Sequence, residues 1–338
     1  MSSCERRRLS TVEWQITKRL FPSEPGAEEL STEEGRALLR EAADIGTDRV
    51  LLSGGDVTAR PDLADLVRFG ASVGLAIDVL AAPAPDRLHE ALPKLVDAGL
   101  RGVGVALHGA DAKSHNAVSG VPDSFAASIE LLQSAREAGL RIEVRTALLL
   151  GRLRGLHALA EVAASIGAAR WTVMAPLGGA GASFGALTLE RAVTTLADLA
   201  ALHRFEIAAI AAPQLIRVTR LRYGTGADSP AGRVRVERDG VDRLFITAGG
   251  EVMPSPELPL TVGHMRKDAL AGALENETIH DLGGADHLAG KCGVCSFGRI
   301  CGGSRARALA QTADLWAEDP SCSYVPKAAD ADENIDED

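Results

Sequence analysis

Cys292-Gly-Val-Cys295-Ser-Phe-Gly-Arg-Ile-Cys301-Gly-Gly-Ser-Arg305-Ala-Arg307, followed by Asp319-Pro320-Ser321-Cys322, contains four of the five cysteines in a chain of 338 residues. Their spacing is C-x2-C-x5-C-x20-C. Four thiolates gathered this way suit a tetrahedral metal ion or an iron–sulfur cluster. Gly293, Gly302 and Gly303 flank the cysteines. Glycine there lets the backbone turn tightly and aim N–H groups at sulfur. Three readings of the spacing stand open. A disulfide pair calls for an oxidising compartment, which nothing else in the sequence suggests. Structural zinc more often uses two similar C-x2-C knuckles, and only one is present. An iron–sulfur cluster meets neither objection.

Three segments widen the motif: GEVMPSPELPL (Gly250 to Leu260), GKCGVCSFGRICGGSRARA (Gly290 to Ala308) and EDPSCSY (Glu318 to Tyr324). Together they resemble the C-terminal extension of radical S-adenosylmethionine (radical SAM) proteins, called SPASM or twitch. The likeness is greatest to the branch with haem-maturation and peptide-modifying members. It implies that Cys292, Cys295, Cys301 and Cys322 hold one auxiliary [4Fe-4S] cluster, with zinc as the alternative metal. The full extension uses more cysteines and holds two clusters, so this is the shorter version. The resemblance also implies that Arg305, Arg307 or both support the anionic cluster or an acidic substrate group; the plain alternative is a solvated helix face.

The chain is long enough to bury one large core and a smaller one. Its hydrophobic fraction of 46% is that of a soluble globular protein. No apolar run reaches the length of a membrane span, and MSSCERRRLS at the start lacks the apolar core of a signal peptide. A cytoplasmic protein is expected. Residues 328–338 carry six acids and no base, so they supply −6 of the net charge of −10. That tail reads as disordered. The remaining −4 and the 4% aromatic content disfavour a nucleic-acid surface.

Upstream, short apolar strands alternate with amphipathic helices. Strands are expected at 12–17, 50–56, 75–80, 103–107, 141–149 and 171–175. Helices are expected after the capping box Ser31–Glu34, and at 61–73, 87–98, 124–138, 156–166 and 187–202. Such alternation calls for a parallel sheet covered by helices, either doubly wound or an incomplete barrel. The resemblance chooses between them. It implies an α/β fold: a partial (β/α)6 TIM-like barrel of radical SAM type with a small SPASM/twitch-like cysteine domain. We expect the barrel over 1–212 and the iron–sulfur domain over 213–327. Residues 214–223 and 232–237 read as charged strands, 224–232 as a mobile loop, and 244–253 as a hairpin around Gly249-Gly250.

In the radical SAM family the loop after the first strand carries C-x3-C-x2-C, which ligates the catalytic [4Fe-4S] cluster. The matching words are WQITKRLFPSEPGAEELSTEEG, Trp14 to Gly35. Leu20 stands at the first cysteine position, and the motif's spacing then falls on Glu24 and Ala27. One carboxylate and two apolar side chains cannot hold a reducible cluster. Cys4 reads as a free surface thiol. The resemblance further implies a pocket for S-adenosylmethionine at Ser53-Gly54-Gly55-Asp56, where an acid would balance the ligand's ammonium. It points to His108 after the fourth strand, Arg145 after the fifth near the ribose, and Met174 to Gly179 after the sixth near the adenine. The plain alternatives are a strand-to-helix turn for Gly54–Asp56, a loop-bonded imidazole for His108 and a helix-surface position for His115.

The expectation is therefore a degenerate radical SAM/SPASM protein that cannot cleave S-adenosylmethionine reductively. It would bind a peptide or tetrapyrrole-like substrate, or relay electrons, paired with an intact radical SAM homologue or a redox protein. An enzyme using the auxiliary cluster or S-adenosylmethionine for non-radical chemistry is one rival. A structural zinc protein is another.

Overall fold

A computed structural model describes residues 9–19, 28–178 and 184–326. Cys4, the expected cluster-loop positions Leu20, Glu24 and Ala27, and the acidic tail lie outside the described residues. In chain order the first elements are β1 (Thr11–Thr17), α1 (Thr32–Asp44), β2 (Arg49–Gly54), α2 (Leu63–Ser72), β3 (Ala76–Leu80), α3 (Asp86–Asp97) and β4 (Gly102–Ala106). Then come α4 (Ala112–Ser119), α5 (Ser124–Glu137), β5 (Arg141–Ala147), α6 (Leu156–Ser165), β6 (Arg170–Met174), α7 (Ala186–Leu202), β7 (Glu206–Ile210), α8 (Gln214–Tyr223) and β8 (Val234–Glu237). The last are β9 (Arg243–Ile246), β10 (Glu251–Met253), β11 (Gly263–His264), α9 (Ala269–Leu274), α10 (Glu277–Leu282), α11 (Gly290–Gly293) and α12 (Arg305–Thr312).

Two compact units result. One comprises 1–104, 137–140 and 239–282; the other comprises 105–136, 141–238 and 283–338. Each is assembled from separate stretches, whereas the division expected from the sequence cuts the chain once, at residue 212.

In the first unit, β9, β1, β2, β3 and the start of β4 lie side by side and parallel, and β10 and β11 extend the edge antiparallel. Burial on both faces explains the near-continuous apolar strands. On β1, Trp14 faces α1; a Cβ at Gly35 would sit 2.5 Å from the indole, so that helix position admits only glycine. The opposite face carries alternate residues of each strand. There Glu13 pairs in register with Leu51, and Leu51 with Asp78. Arg49 shares that face and its Nε lies 2.6 Å from Asp78 Oδ2, both residues being buried. Ser31 caps α1 through the expected box: its Oγ accepts from Glu34 N–H, and the Glu34 carboxylate accepts from Ser31 N–H at 2.7 Å.

In the second unit β5, β6, β7 and β8 are parallel neighbours in that order. One face buries Trp171 edge-on to Phe205, with its Nε1 donating to Thr146 Oγ1 at 2.9 Å. The other face carries Glu143, Arg145 and Thr172; Glu143 Oε1 accepts from Arg145 Nε and from Thr172 Oγ1, each at 2.8 Å. The cysteine segment packs within this same unit.

Two sequence expectations are corrected. Residues 214–223 form a helix, not a strand. Their apolar and charged residues alternate because Arg217 is buried along with Leu215 and Val218, which breaks the helical period. His115 is not on a helix surface; it is 1% exposed. Among the described residues no helix is long and apolar enough to cross a membrane.

Candidate functional site

Cys292, Cys295, Cys301 and Cys322 line one cavity in the second unit. It holds about 340 Å³ of space not filled by atoms, part of it open to solvent. Cys292 and Cys301 are buried, while Cys295 and Cys322 are half-buried. Among the described residues, no three His, Cys, Asp or Glu side chains are placed to hold a single metal ion.

Local chemistry shapes this cavity. Cys292 lies in the short helix α11, and a Cβ at Gly293 would meet the Leu288 carbonyl oxygen at 2.3 Å. Gly303, at φ +67°, leaves no room either: a Cβ would stand 3.1 Å from Cys292 Sγ and 2.9 Å from Asp319 Cβ. Backbone N–H groups point at sulfur, as the glycines suggested. Asp319 N–H donates to Cys292 Sγ at 3.5 Å, Gly303 N–H serves Cys301 and Tyr324 N–H serves Cys322. Burial pushes all three of these thiols above their ordinary value, so a metal entering the site displaces protons. A donor set of four thiols, N–H groups aimed at sulfur and cationic walls fits an iron–sulfur cluster.

The two arginines after Cys301 divide the work. Arg305 Nη2 lies 4.0 Å from Cys292 Sγ, while its Nη1 donates to the carbonyls of Leu315 and Ala317 at 2.9 and 2.7 Å. Arg307 turns away from the thiols. It pairs with Asp319 at 3.0 Å and donates to the carbonyls of Pro176 and Ala211, clamping α12 to the ends of β6 and β7. Asp319 is wholly buried and also accepts from Gln214 Nε2, Ser304 N–H and Ser321 N–H at 2.7, 2.8 and 2.9 Å. The sequence reading passed over Asp319, yet Asp-Pro-Ser carries the signal of an Asx turn, with the side chain bonding the N–H two residues on. It also missed Arg217 and Lys291, which line the cavity.

The other candidates fall in two places. In the first unit, Gly54 and Gly55 are glycines because another backbone crosses them: Cβ atoms would lie 2.1 Å from Thr17 O and 2.2 Å from Arg19 O. Gly55 N–H and Asp56 N–H donate to those same carbonyls at 3.0 and 2.8 Å. Asp56 Oδ1 accepts from Thr58 N–H and Oγ1, and its Oδ2 faces Arg87 Nη1 at 3.4 Å. In the second unit, His108 stands just past β4, with Nδ1 accepting from Ala147 N–H at 3.4 Å. It stacks on His115 at 5.9 Å between ring centroids. His115 Nδ1 accepts from His108 N–H, which leaves Nε2 to donate to Ser124 Oγ at 3.0 Å. Burial lowers the proton affinity of both rings, helped by the positive charge of Arg152 at His108. Arg145 is buried against Glu143, and Met174 closes β6.

Comparison with known proteins shows what the chain is similar to. Residues 6–157 match the profile of the radical SAM superfamily. The chain is 28% identical over 316 residues to the AdoMet-dependent heme synthase of Methanosarcina barkeri, covering 89% of each chain. It is 28% identical over 312 residues to the PqqA peptide cyclase of Rhodopseudomonas palustris, covering 90% of this chain and 81% of that protein. Streptococcus suis SuiB bound to S-adenosylmethionine shares the fold at a TM-score of 0.64 and 13% identity, over 95% of this chain and 75% of that one. So does anSMEcpe with bound AdoMet and the Kp18Cys peptide, at 0.66 and 11%, over 93% and 94%. The partial (β/α) barrel expected from the resemblance is thus the fold of this chain, and its first half matches the radical SAM profile.

Proposed function

We propose that this protein binds a single [4Fe-4S] cluster through Cys292, Cys295, Cys301 and Cys322, does not cleave S-adenosylmethionine reductively, and acts as a substrate-binding or electron-relay partner in the maturation of a peptide-derived or tetrapyrrole cofactor. One observation carries this reading. Four of the five cysteines line one cavity, and the fifth is Cys4, so no cysteine lies between residues 4 and 292. Reductive cleavage of a sulfonium needs an electron delivered from an iron that also binds the cosubstrate. The stretch from Trp14 to Gly35 offers no thiolates to hold that iron. The choice of substrate class follows the relatives, which are heme synthases and peptide cyclases.

The bound cluster supplies one-electron redox capacity. The chain's own part is to hold it: backbone N–H groups and Arg305 offset the thiolate charge, and Arg307 with Asp319 fixes the segment that carries Cys301 and Cys322.

We extend the proposal to S-adenosylmethionine binding without cleavage, with Gly54, Gly55 and Asp56 of the first unit as candidate contacts; His108 and Arg145 of the second unit stay candidates by the resemblance alone. A ligand ammonium would take the place of Arg87 at Asp56 Oδ2, where the present contact is long and Arg87 is 42% exposed. Calorimetry on wild type and Asp56→Ala tests this part; equal binding by both removes Asp56 from the site. The main reading is tested by incubating the reconstituted protein with a strong one-electron reductant and S-adenosylmethionine under anaerobic conditions. No cleavage product should form, and turnover to one would overturn the reading.

A further inference from the structure

Arg217 lies on α8, away in sequence from every cysteine, yet it lines the same cavity as all four. It is 3% exposed. Its Nη2 donates to Glu190 Oε2 on α7 at 2.6 Å, and its guanidinium carbon stands 4.8 Å from the Tyr324 ring centroid. Its Nε is buried with no hydrogen-bond partner. Among the described residues the other charged residue lining the cavity, Lys291, sits nearer the surface and directs its ammonium to the Cys322 carbonyl at 2.6 Å. Among the described residues no carboxylate lines the cavity. A guanidinium is costly to bury, and an orphaned nitrogen adds to that cost. The single acid that pairs with it is 28% exposed. A wall built this way is complementary to an anionic occupant.

Resting on the cluster reading above, we infer that Arg217 is a tuning residue of the iron–sulfur site, a buried fixed charge that raises the reduction potential of the cluster held by the four cysteines. Four thiolates make the loaded site anionic in both oxidation states. One-electron reduction adds a further negative charge, with no bond made or broken, and the electron comes from an external one-electron donor. A nearby buried cation stabilises the more negative form more, because the low local dielectric leaves the interaction poorly screened. Glu190 acts in the opposite sense by neutralising part of that charge. Arg217 and Glu190 are therefore expected to move the potential in opposite directions.

The test is a dithionite redox titration followed by electron paramagnetic resonance on full-length protein reconstituted anaerobically, with iron and sulfide counted for each variant. Arg217→Gln is expected to lower the midpoint at least tenfold in the reduction equilibrium, about 59 mV for one electron. Glu190→Gln is expected to raise it, and Arg217→Lys to fall between wild type and Arg217→Gln. A merely structural role would shift melting temperature in these variants without opposite shifts in potential. Iron-loaded Arg217→Gln and Glu190→Gln with wild-type midpoints would overturn the inference. If Arg217→Gln fails to keep its cluster, Glu190→Gln decides alone: a raised midpoint supports the inference and an unchanged one overturns it. Failure of wild type to take up iron is a separate outcome, and it would overturn the cluster reading on which this inference rests.

Discussion

At the scale of single residues, the candidates read from the sequence are mostly built into hydrogen bonds of the fold. Arg145 and Glu143 form a buried pair on β5 at 2.8 Å. Removing one partner of such a pair costs about 3–5 kcal/mol because the other is left charged and buried. Arg145→Ala should lose stability on that scale in urea unfolding, and Arg145→Met with Glu143→Leu should recover much of it. The imidazole pair gives a pH signature. Burial holds both rings below the ordinary value of 6.5, so the folded state resists protons that the unfolded chain accepts. Above that value both states are neutral and the contribution is constant. As the pH falls below it, the unfolded state binds more protons and stability declines. Urea midpoints should therefore drop between about pH 7 and about pH 5, and His115→Gln should flatten the decline. The position of His108 at a strand end was legible in the sequence. The burial of His115 was not, because its partner Ser124 lies nine residues on and across a turn.

Elements show where sequence patterns sufficed. The capping box at Ser31 was readable from four letters, since its two bonds are local, and the strands up to β6 were readable because continuous apolar runs mark burial on both faces. Helix α8 was not. Pro213 before it and Gly224 after it are helix boundary signals, but three arginines within it imitated an alternating strand. Its partners are distant in sequence: Gln214 reaches Asp319, and Arg217 lines the cavity of the cysteines and stacks near Tyr324. The same long-range logic governs α12. Arg307 and Asp319 are 1% and 0% exposed, so Arg307→Met leaves a buried carboxylate without its cation. A loss of about 3–5 kcal/mol is expected. The variant should also retain less iron after desalting, because Asp319 holds the backbone next to Cys322. Iron retention equal to wild type would separate the clamp from the site.

For the molecule as a whole, the helix-covered parallel sheet was legible from alternation, the barrel only from the family resemblance, and the cysteine motif from spacing. What the letters could not convey is which barrel elements share a compact unit with the cysteines, because that depends on contacts among α7, α8, β5–β8 and the C-terminal segment. The chain has the barrel fold shared with radical SAM proteins, and among the described residues Cys292, Cys295, Cys301 and Cys322 line one cavity. One cluster per chain is the consequence that everything else hangs on. Anaerobic reconstitution followed by iron and sulfide analysis measures it directly. About four irons and four sulfides per chain are expected, falling to near zero when Cys292 and Cys301 are both replaced by serine. About eight irons per chain, or zinc in place of iron with no labile sulfide, would contradict it.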